Sequence, residues 1–431
     1  MNVLLLGSGG RENALAWKIA QSPLLDRLYI APGNPGTASL GKNLSLNIVD
    51  FGQVEAAVIA YQIELLVIGP EAPLVAGLTD YLKHSEKTPD LLIVGPGAIG
   101  AQLEGSKDFA KSFMMRHQIP TAAYQSFYAN QFAEAVNFLD TLNPPYVIKA
   151  DGLAAGKGVV ICIEKQEAIN TLDDMLLKGR FGKASGKVVI EEFLNGIELS
   201  VFVLTDGKQF CLLPEAKDYK RIGEGDKGPN TGGMGAISPV PFANESFLKK
   251  VISRIIEPTI NGLAVENIDY KGFIFFGLIN VDKNPMVIEY NARMGDPETE
   301  VVIPRIAEDI LPLLIETAKG ELKTGKVMTD SRYAATVMMV SAGYPGDYIK
   351  GNPITIKGID TTDLVFHAGS ALHPATGQLV TTGGRVLAVT AYGMNVEDAF
   401  HKAYQTVRNI SFEGAYYRRD LGKDLANISV D

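Results

Sequence analysis

The sequence predicts an α/β fold that begins with a parallel, Rossmann-like sheet domain over residues 1–103. Short apolar strands in this region end in glycine or proline, as in "NVLLLG", "RLYIAPG", "IELLVIGPE" and "PDLLIVGPG". Helical patterns such as "FGQVEAAVIAYQ" lie between these strands. Apolar strands that alternate with helices are typical of a parallel sheet covered on both faces. Such sheets bind ligands at the carboxyl ends of their strands.

Two further regions follow this sheet. Residues 104–325 mix helices with antiparallel strands: the helix "EGSKDFAKSFMMRHQ", the strands "YVIKA", "GVVICI" and "GKVVIEEFL", and two strands around a "TDGK" turn. That region closes with a helix, a stretch containing the strand "VIEYN", and the helical "IAEDILPLLIETAKGEL". Residues 326–431 predict a smaller block of short strands and turns.

Composition limits the function classes. The net charge of −9 argues against a general nucleic-acid or acidic-membrane binder, because phosphate-rich partners require clustered lysine and arginine. No apolar stretch approaches the roughly 20 residues of a membrane span, and the first residues read as a strand. The two cysteines lie in strand-like apolar runs. We therefore expect a cytoplasmic protein.

The first turn, "GSGGREN", predicts an anion site. Gly7, Gly9 and Gly10 follow a strand and open a helix, where free N–H groups point at a ligand. A dinucleotide fingerprint requires glycine where Glu12 stands, so NAD is disfavoured. Arg11 suits a monophosphate. The alternative is a tight turn that packing alone requires.

The stretch "IKADGLAAGKGVVI" is not a Walker loop. Three residues instead of four separate Gly152 from Gly156, and Gly158 stands where a metal-binding hydroxyl belongs. A β-branched strand follows instead of a helix. We interpret the stretch as a glycine flap in a hairpin, with Lys149 and Lys157 neutralising a triphosphate. The alternative is an exposed turn with solvated lysines.

The stretch "VIEYNARMGDPETE" predicts a metal site. Alternation in a strand puts Val287, Glu289 and Asn291 on one face. A carboxylate and an amide oxygen, together with phosphates and water, suit Mg²⁺. Arg293, Asp296 and Glu298 follow in the next turn. The alternative is an exposed polar strand face.

Two further stretches fit a nucleotide site. "VVIEEFLNGIELSV" predicts an extended hinge for a purine at residues 192–194, with Glu198 accepting from ribose hydroxyls. "KDYKRIGEGDKGPNTGGMG" predicts a functional loop, because it places charged and amide side chains beside many glycines. A disordered surface loop is its alternative.

Together, the two-lysine flap, the "EEFL" hinge and the E-x-N strand resemble the ATP-grasp fold. The resemblance implies a mobile lid at about residues 121–190 and a small C-terminal α+β domain. From end to end the chain resembles the glycinamide ribonucleotide synthetase (phosphoribosylamine–glycine ligase) family, on the motifs "VLLLGSGGRE", "APGNPGT", "GPEAPLVAGL", "EGSKDFAK", "IKADGLAAGKGV", "DYKR", "GDKGPNTGGMGA", "VIEYNARMGDPE", "FHAGS" and "TTGGRVL".

This resemblance implies the ligation of glycine to 5-phosphoribosylamine, the second step of de novo purine biosynthesis. ATP and Mg²⁺ (or Mn²⁺) are the implied cofactors, glycyl phosphate the intermediate, and glycinamide ribonucleotide, ADP and phosphate the products. A monomer is expected. Competing hypotheses are another ATP-grasp carboxylate–amine ligase, a carboxylase, and a nucleotide sensor without catalysis.

The resemblance also implies roles for individual residues. Residues expected to bind ATP are Lys107, Lys149, Gly156, Lys157, Gly158, Glu191, Glu192, Phe193, Leu194 and Glu198. Glu289 and Asn291 are the expected metal ligands, and Arg293, Asp218 and Asp296 the expected catalytic residues. Residues expected to bind the substrates are Gly9, Gly10, Arg11, Glu12, Gly33, Asn34, Pro70, Glu71, Lys220, Asn230, Glu298, His367, Gly384 and Arg385.

Two positions depart from the family pattern. The family commonly has histidine where Tyr219 stands, so we assign this position no essential proton transfer. Many ATP-grasp enzymes carry another acidic metal ligand upstream of the E-x-N strand, where this chain reads "FFGLIN".

Overall fold

A computed structural model describes residues 1–154, 158–358 and 363–425. Gly156 and Lys157, which we predicted in the flap, lie outside the described residues. The N-terminal elements are β1 (Asn2–Gly7), α1 (Gly10–Ile19), β2 (Arg27–Pro32), β3 (Lys42–Asn43), α2 (Phe51–Ala60), β4 (Leu65–Ile68), α3 (Glu71–Val75), α4 (Leu78–His84) and β5 (Leu92–Val94).

These strands form the predicted parallel sheet, in the order β3-β2-β1-β4-β5. Alternate residues of β1 pack on opposite faces, as the pleat of a strand requires. Val3 and Leu5 pack in one core with Leu15 of α1, whereas Leu4 and Leu6 pack in another with helices α2 to α4. The doubly covered parallel sheet is therefore confirmed.

The next elements are α5 (Ala98–Gly105), α6 (Lys107–Arg116), β6 (Tyr124–Tyr128), α7 (Phe132–Leu139), β7 (Tyr146–Ala150), β8 (Val159–Cys162), α8 (Lys165–Leu172) and β9 (Lys187–Glu192). A single helix across residues 104–118 was a wrong prediction. The chain breaks at Ser106, whose extended backbone and side chain cap α6 by accepting from the Phe109 N–H.

Strands β6 to β9 form an antiparallel sheet in the order β6-β9-β7-β8. This sheet and its helices have their own hydrophobic core, which includes Phe127, Ile148, Leu172 and Ile190. We refer to residues 121–190 as the lid. The predicted hairpin on both sides of the glycine flap is confirmed by the β7–β8 pair.

The chain continues with β10 (Ile197–Thr205), β11 (Phe210–Leu212), β12 (Lys217–Asp218), β13 (Arg221–Gly223), β14 (Lys227–Asn230), β15 (Gly235–Ser238), α9 (Glu245–Val251), α10 (Glu257–Val265), β16 (Gly272–Val281), β17 (Asn284–Asn291), α11 (Thr299–Val302), α12 (Ile310–Lys319) and β18 (Gly325–Lys326). A second five-stranded sheet has the order β17-β16-β10-β11-β18. The glycine-rich stretch after residue 220, predicted as a loop, forms the hairpin β13–β14.

The last elements are β19 (Tyr333–Val340), β20 (Thr355–Ile356), β21 (Leu364–His367), β22 (Ser370–Leu372), β23 (Leu379–Thr381), β24 (Arg385–Gly393), α13 (Val396–Val407) and β25 (Ile410–Ser411). Strands β19, β21 and β24 extend a sheet that begins earlier in the chain. A third sheet, in the order β12-β15-β19-β24-β21, joins β12 and β15 to the C-terminal strands. Within the described ranges, no helix is both long and apolar enough to cross a bilayer.

Candidate active site

A cavity of about 780 Å³ lies where the lid, the second sheet and the N-terminal sheet meet. Most predicted site residues line it: Arg11, Glu71, Lys107, Lys149, Gly158, Glu191, Glu192, Phe193, Leu194, Glu198, Asp218, Lys220, Asn230, Glu289, Asn291, Arg293, Asp296, Glu298 and Arg385. Other predicted residues lie outside its lining: Gly9, Gly10, Glu12, Gly33, Asn34, Pro70, His367 and Gly384. The structure thus brings residues separated by more than 300 positions into one space.

Buried charges form the lid side of the cavity. The Lys149 Nζ atom on β7 lies 2.9 Å from the Glu191 carboxylate on β9. Lys111 of α6, which the sequence analysis missed, lies 3.0 Å from the same carboxylate. Burial raises the pKa of Glu191, but the two lysines outweigh it, and the pKa lies below its usual range. Glu191 is therefore ionised and shared between two cations.

Lys107 begins α6 and directs its ammonium group at the base of the flap. Its Nζ donates to the Gly152 carbonyl at 3.3 Å. Burial lowers its pKa, and the nearby Glu289 carboxylate opposes that effect. Lys107 and Lys149 thus both present positive charge to the cavity that Glu289 enters.

A β-bulge shapes the strand that carries the predicted metal ligands. Glu289 pairs with Gly277 and Val287 with Leu278, so Ile288 is the extra residue. Simple alternation was therefore wrong for Val287, which packs in the hydrophobic core with Tyr290. Glu289 and Asn291 line the cavity as predicted. The bulge also turns the Ile288 carbonyl toward Lys149, which donates to it at 3.3 Å.

Glu289 and Asn291 fit a site for a divalent cation. Glu289 lines the cavity, and its side chain has no hydrogen-bond or ion-pair partner among the described residues, so its carboxylate oxygens are free to coordinate. No three His, Cys, Asp or Glu side chains come together in these ranges to hold a metal. Mg²⁺ commonly takes one or two protein ligands and completes its shell with phosphates and water. Two oxygen ligands that line the cavity meet that requirement.

Arg293 is held by carboxylates from two other elements. Its Nη2 lies 2.6 Å from Glu104 of α5, and its Nε lies 3.4 Å from Glu71 of α3. Burial lowers the pKa of Arg293, but these carboxylates outweigh it and raise the pKa above its usual value. The sequence analysis missed Glu104, whose only signal is a carboxylate near the end of an otherwise uncharged helix.

A second charged group lies at the opposite wall. Lys220 pairs with Glu198 at 2.7 Å, and Lys220 lowers the pKa of Glu198. Burial raises the pKa of Asp218, and it raises that of Glu298 to about 7. Ser200 donates to Glu298 at 2.9 Å. This wall therefore carries two carboxyl groups whose ionisation a positively charged ligand would stabilise.

Arg385 connects the C-terminal strands to the cavity. Its guanidinium group lies 2.9 Å from the Asp296 carboxylate and donates to the Asp296 carbonyl at 2.7 Å. It also donates to the Gly232 carbonyl. Gly384 lies behind this arginine, where a side chain would collide with the ring of Tyr344. Gly384 thus supports the wall and does not form it.

The N-terminal loops are organised around Glu12. Its carboxylate accepts from the Gly9 N–H at 2.7 Å and packs against Gly7 and Gly69, where any side chain would overlap it. Burial raises the pKa of Glu12, against the opposing charge of Arg11. Glu12 therefore occupies the position of a glycine in a dinucleotide fingerprint, and its side chain stabilises the turn from within.

Asn34 and His367 tie these loops to the C-terminal strands. The Asn34 side chain donates to the Ser8 carbonyl at 2.9 Å and to the His367 carbonyl at 2.7 Å. The His367 ring lies 2.9 Å from the Ser370 hydroxyl, and burial lowers its pKa to about 4. Both residues hold the loops in place from outside the cavity lining.

Tyr219 has a structural environment. Its hydroxyl donates to Asp424 at 2.8 Å and accepts from the Gly422 N–H at 3.0 Å. Burial raises its pKa far above its usual value. A phenol with these partners ties β12 to the C-terminal turn and is poorly suited to proton transfer.

Models of one protein family match along the chain. Residues 1–104 match the phosphoribosylglycinamide synthetase N domain, residues 105–299 its ATP-grasp (A) domain, and residues 334–424 its C domain. Solved biotin carboxylases share the fold, such as the domain from Hydrogenobacter thermophilus, with a TM-score of 0.70 at 17% identity over 96% of this chain and 91% of that one. The predicted ATP-grasp fold is confirmed.

Proteins of higher sequence identity include several phosphoribosylamine–glycine ligases. The chain is 48% identical to the phosphoribosylamine–glycine ligase of Agrobacterium fabrum over 98% of both chains. It is 45% identical to that of Pseudomonas aeruginosa over 98% of this chain and 97% of the other. The crystal structure of phosphoribosylamine–glycine ligase from Thermotoga maritima superposes with a TM-score of 0.84 at 37% identity, covering 97% of this chain and all of that one. The chain therefore belongs to the phosphoribosylamine–glycine ligase family of carbon–nitrogen ligases.

Proposed function

We propose that the chain ligates glycine to 5-phosphoribosylamine with ATP, giving glycinamide ribonucleotide, ADP and phosphate. One observation supports this above all: a single cavity contains both the lysines of the lid side and Arg11 and Glu71 of the N-terminal loops. An activated carboxylate and its amine acceptor must meet in one space. We assign the ribose phosphate to the N-terminal loops, because Arg11 brings a fixed positive charge to that end of the cavity.

We assign ATP to the lid side of the cavity. Lys107 and Lys149 face the phosphates, and residues 192–194, which end β9 and follow it, face the adenine. Glu198 is assigned to the ribose. Glu289 and Asn291 hold a divalent cation, Mg²⁺ or Mn²⁺, which when bound neutralises charge on the phosphates.

The reaction proceeds in two displacements. A glycine carboxylate oxygen attacks the γ-phosphorus of ATP, ADP leaves, and glycyl phosphate forms. The amine of phosphoribosylamine then attacks the glycyl carbonyl carbon, the bond to the phosphate oxygen breaks, and the amine gives up a proton. Arg293 stabilises charge on the transferring phosphoryl group. Asp218 and Asp296 hold the two amino groups, with Glu298 beside Asp218.

The domain roles follow from these assignments. Residues 1–103 bind phosphoribosylamine, and residues 326–431 complete the wall that faces the substrates. Residues 104–325 form the ATP-grasp region. Its lid closes over ATP and excludes water from the acyl phosphate. We also propose that the protein works as a cytoplasmic monomer, which sedimentation of the purified chain and cell fractionation would test.

Substrate omission tests the reaction. ADP release should require glycine and phosphoribosylamine together, and the product should contain both. Full ADP release without either substrate would refute the assignment. Dependence on bicarbonate would identify a carboxylase, and ATP binding without ADP release under any combination would identify a sensor.

A further inference from the structure

Lys111 is a buried cation without an assigned role. It lies one helical turn after Lys107 on α6, and its side chain is only 2% exposed. Its Nζ atom lies 3.0 Å from the Glu191 carboxylate, 2.8 Å from the Thr121 hydroxyl and 3.5 Å from the Ala122 carbonyl. Burying an ammonium group this completely is costly unless it is paired. Its partners lie on both chain segments that join the lid to the body.

The charges around Glu191 do not cancel. Glu191 contacts two lysines, so the cluster of Lys111, Glu191 and Lys149 carries one net positive charge. Without Lys111, Glu191 and Lys149 would form a neutral pair. A neutral pair at this wall would attract the negatively charged triphosphate less than the charged cluster does. The difference matters because Coulomb interactions are strong in a partly buried site.

We propose that Lys111 is a positioning residue for ATP: it shares the Glu191 carboxylate with Lys149, so that Lys149 keeps its charge available to the phosphates. The inference rests on the proposed ATP-dependent ligase function. Lys111 acts through Glu191. Removing Lys111 should therefore weaken the binding of ATP without weakening the binding of glycine or phosphoribosylamine.

The groups facing Lys111 support this role. From the sheet β6-β9-β7-β8 come Lys149 on β7, Glu191 and Glu192 on β9, and the ring of Tyr124 on β6, whose centroid lies 5.6 Å away. Burial lowers the pKa of Lys111 to about 8, and Glu191 opposes that effect. The Lys111 ammonium group is therefore charged at neutral pH and loses its proton as the pH rises above 8.

Steady-state kinetics of two variants test the proposal. Lys111→Met should raise the KM for ATP about tenfold, the loss expected for one charge-assisted contact. The KM for glycine and for phosphoribosylamine should stay within about twofold of wild type. In a Glu191→Gln background, Lys111→Met should change the KM for ATP by no more than about twofold, because the shared carboxylate is gone. Equal effects in both backgrounds would overturn the proposal.

Lys187→Met is the matched control. Lys187 of β9 pairs with Asp108 of α6 at 2.7 Å, so it joins the same two elements outside the cavity lining. The KM of the Lys187→Met variant for ATP should match that of the wild type. If the KM for ATP rose as much as in Lys111→Met, then losing any ion pair between α6 and β9 would weaken ATP binding. That result would contradict the positioning role of Lys111.

A pH profile decides the matter even if Lys111→Met fails to fold. The KM for ATP of the wild type should rise above about pH 8, whereas Lys111→Arg should show a smaller rise, because arginine stays charged while Lys107, whose pKa burial also lowers, still titrates. Identical profiles would overturn the proposal. A failure of the ligase assignment looks different, because then no variant releases ADP in a glycine-dependent way.

Discussion

The Arg293 guanidinium group lies 2.6 Å from the carboxylate of Glu104. This contact joins the end of the predicted metal-binding strand, β17, to helix α5. The other Glu104 oxygen accepts from the Ala292 N–H at 2.8 Å. One carboxylate therefore fixes both the backbone and the side chain at the point where β17 ends. This contact sets the direction in which Arg293 reaches the cavity.

Glu104→Gln should lower kcat by about tenfold or more. Arg293 loses a charge-assisted hydrogen bond, which contributes about 1.5–3 kcal/mol, and its side chain is no longer held in the orientation that reaches the cavity. The amide keeps the size of the side chain, so the fold should survive. ADP release at saturating substrates measures kcat, and circular dichroism checks the fold.

Glu266→Gln provides the control for that variant. Glu266 holds Arg116 through two contacts, at 2.7 and 2.9 Å, and neither residue belongs to the cavity lining. Its kcat should match wild type. If Glu104→Gln also turned over at the wild-type rate, Arg293 would not need this carboxylate.

Glu289→Gln should abolish most activity at ordinary Mg²⁺ and raise the Mg²⁺ concentration required, because an amide is a weaker ligand for a hard cation. A Mg²⁺ titration of ADP release measures the shift. Asn284→Ala, at the exposed start of the same strand, should leave the titration unchanged. Wild-type turnover by Glu289→Gln would remove this residue from the metal site.

The apparent kcat/KM for glycine should fall as the pH drops below about 7. Burial raises the pKa of Glu298 to about 7, so acid converts it to a neutral carboxyl group that no longer attracts an ammonium ion. The dependence of kcat/KM on pH reports groups of the free enzyme. Glu298→Gln should remove this acid limb and lower the plateau.

Ser200→Ala tests the same assignment from the opposite direction. The Ser200 hydroxyl donates to Glu298 at 2.9 Å and favours its ionised form. Removing it should raise the pKa further, so that the fall in kcat/KM begins at higher pH. An acid limb that persists in Glu298→Gln belongs to another group.

The elements and motifs that the sequence predicted well depend on local patterns. The parallel sheet followed from continuously apolar strands, and the β7–β8 hairpin from glycines between two β-branched runs. The E-x-N pair followed from alternation, because Glu289 and Asn291 lie beyond the bulge and keep their register.

Tertiary contacts account for what the sequence left out. The bulge at Ile288 depends on pairing with the neighbouring strand, which no local pattern records. The break at Ser106 is stabilised by Asp151, 45 residues away, which accepts from the Ser106 hydroxyl at 2.9 Å. Lys111 and Glu104 look like ordinary helix residues until the fold buries them against Glu191 and Arg293.

Tyr219→Phe should separate structure from catalysis at the position where the family commonly has histidine. The variant leaves the Gly422 N–H without its acceptor and Asp424 without one donor, so the free energy of unfolding should fall by about 1–2 kcal/mol in urea denaturation. Its kcat should stay within about twofold of wild type, whereas loss of an acid–base group costs about 100-fold or more. Tyr416→Phe, whose exposed hydroxyl donates to the Ile222 carbonyl at 3.0 Å, should be less destabilising. A large fall in kcat with unchanged stability would give Tyr219 a catalytic role.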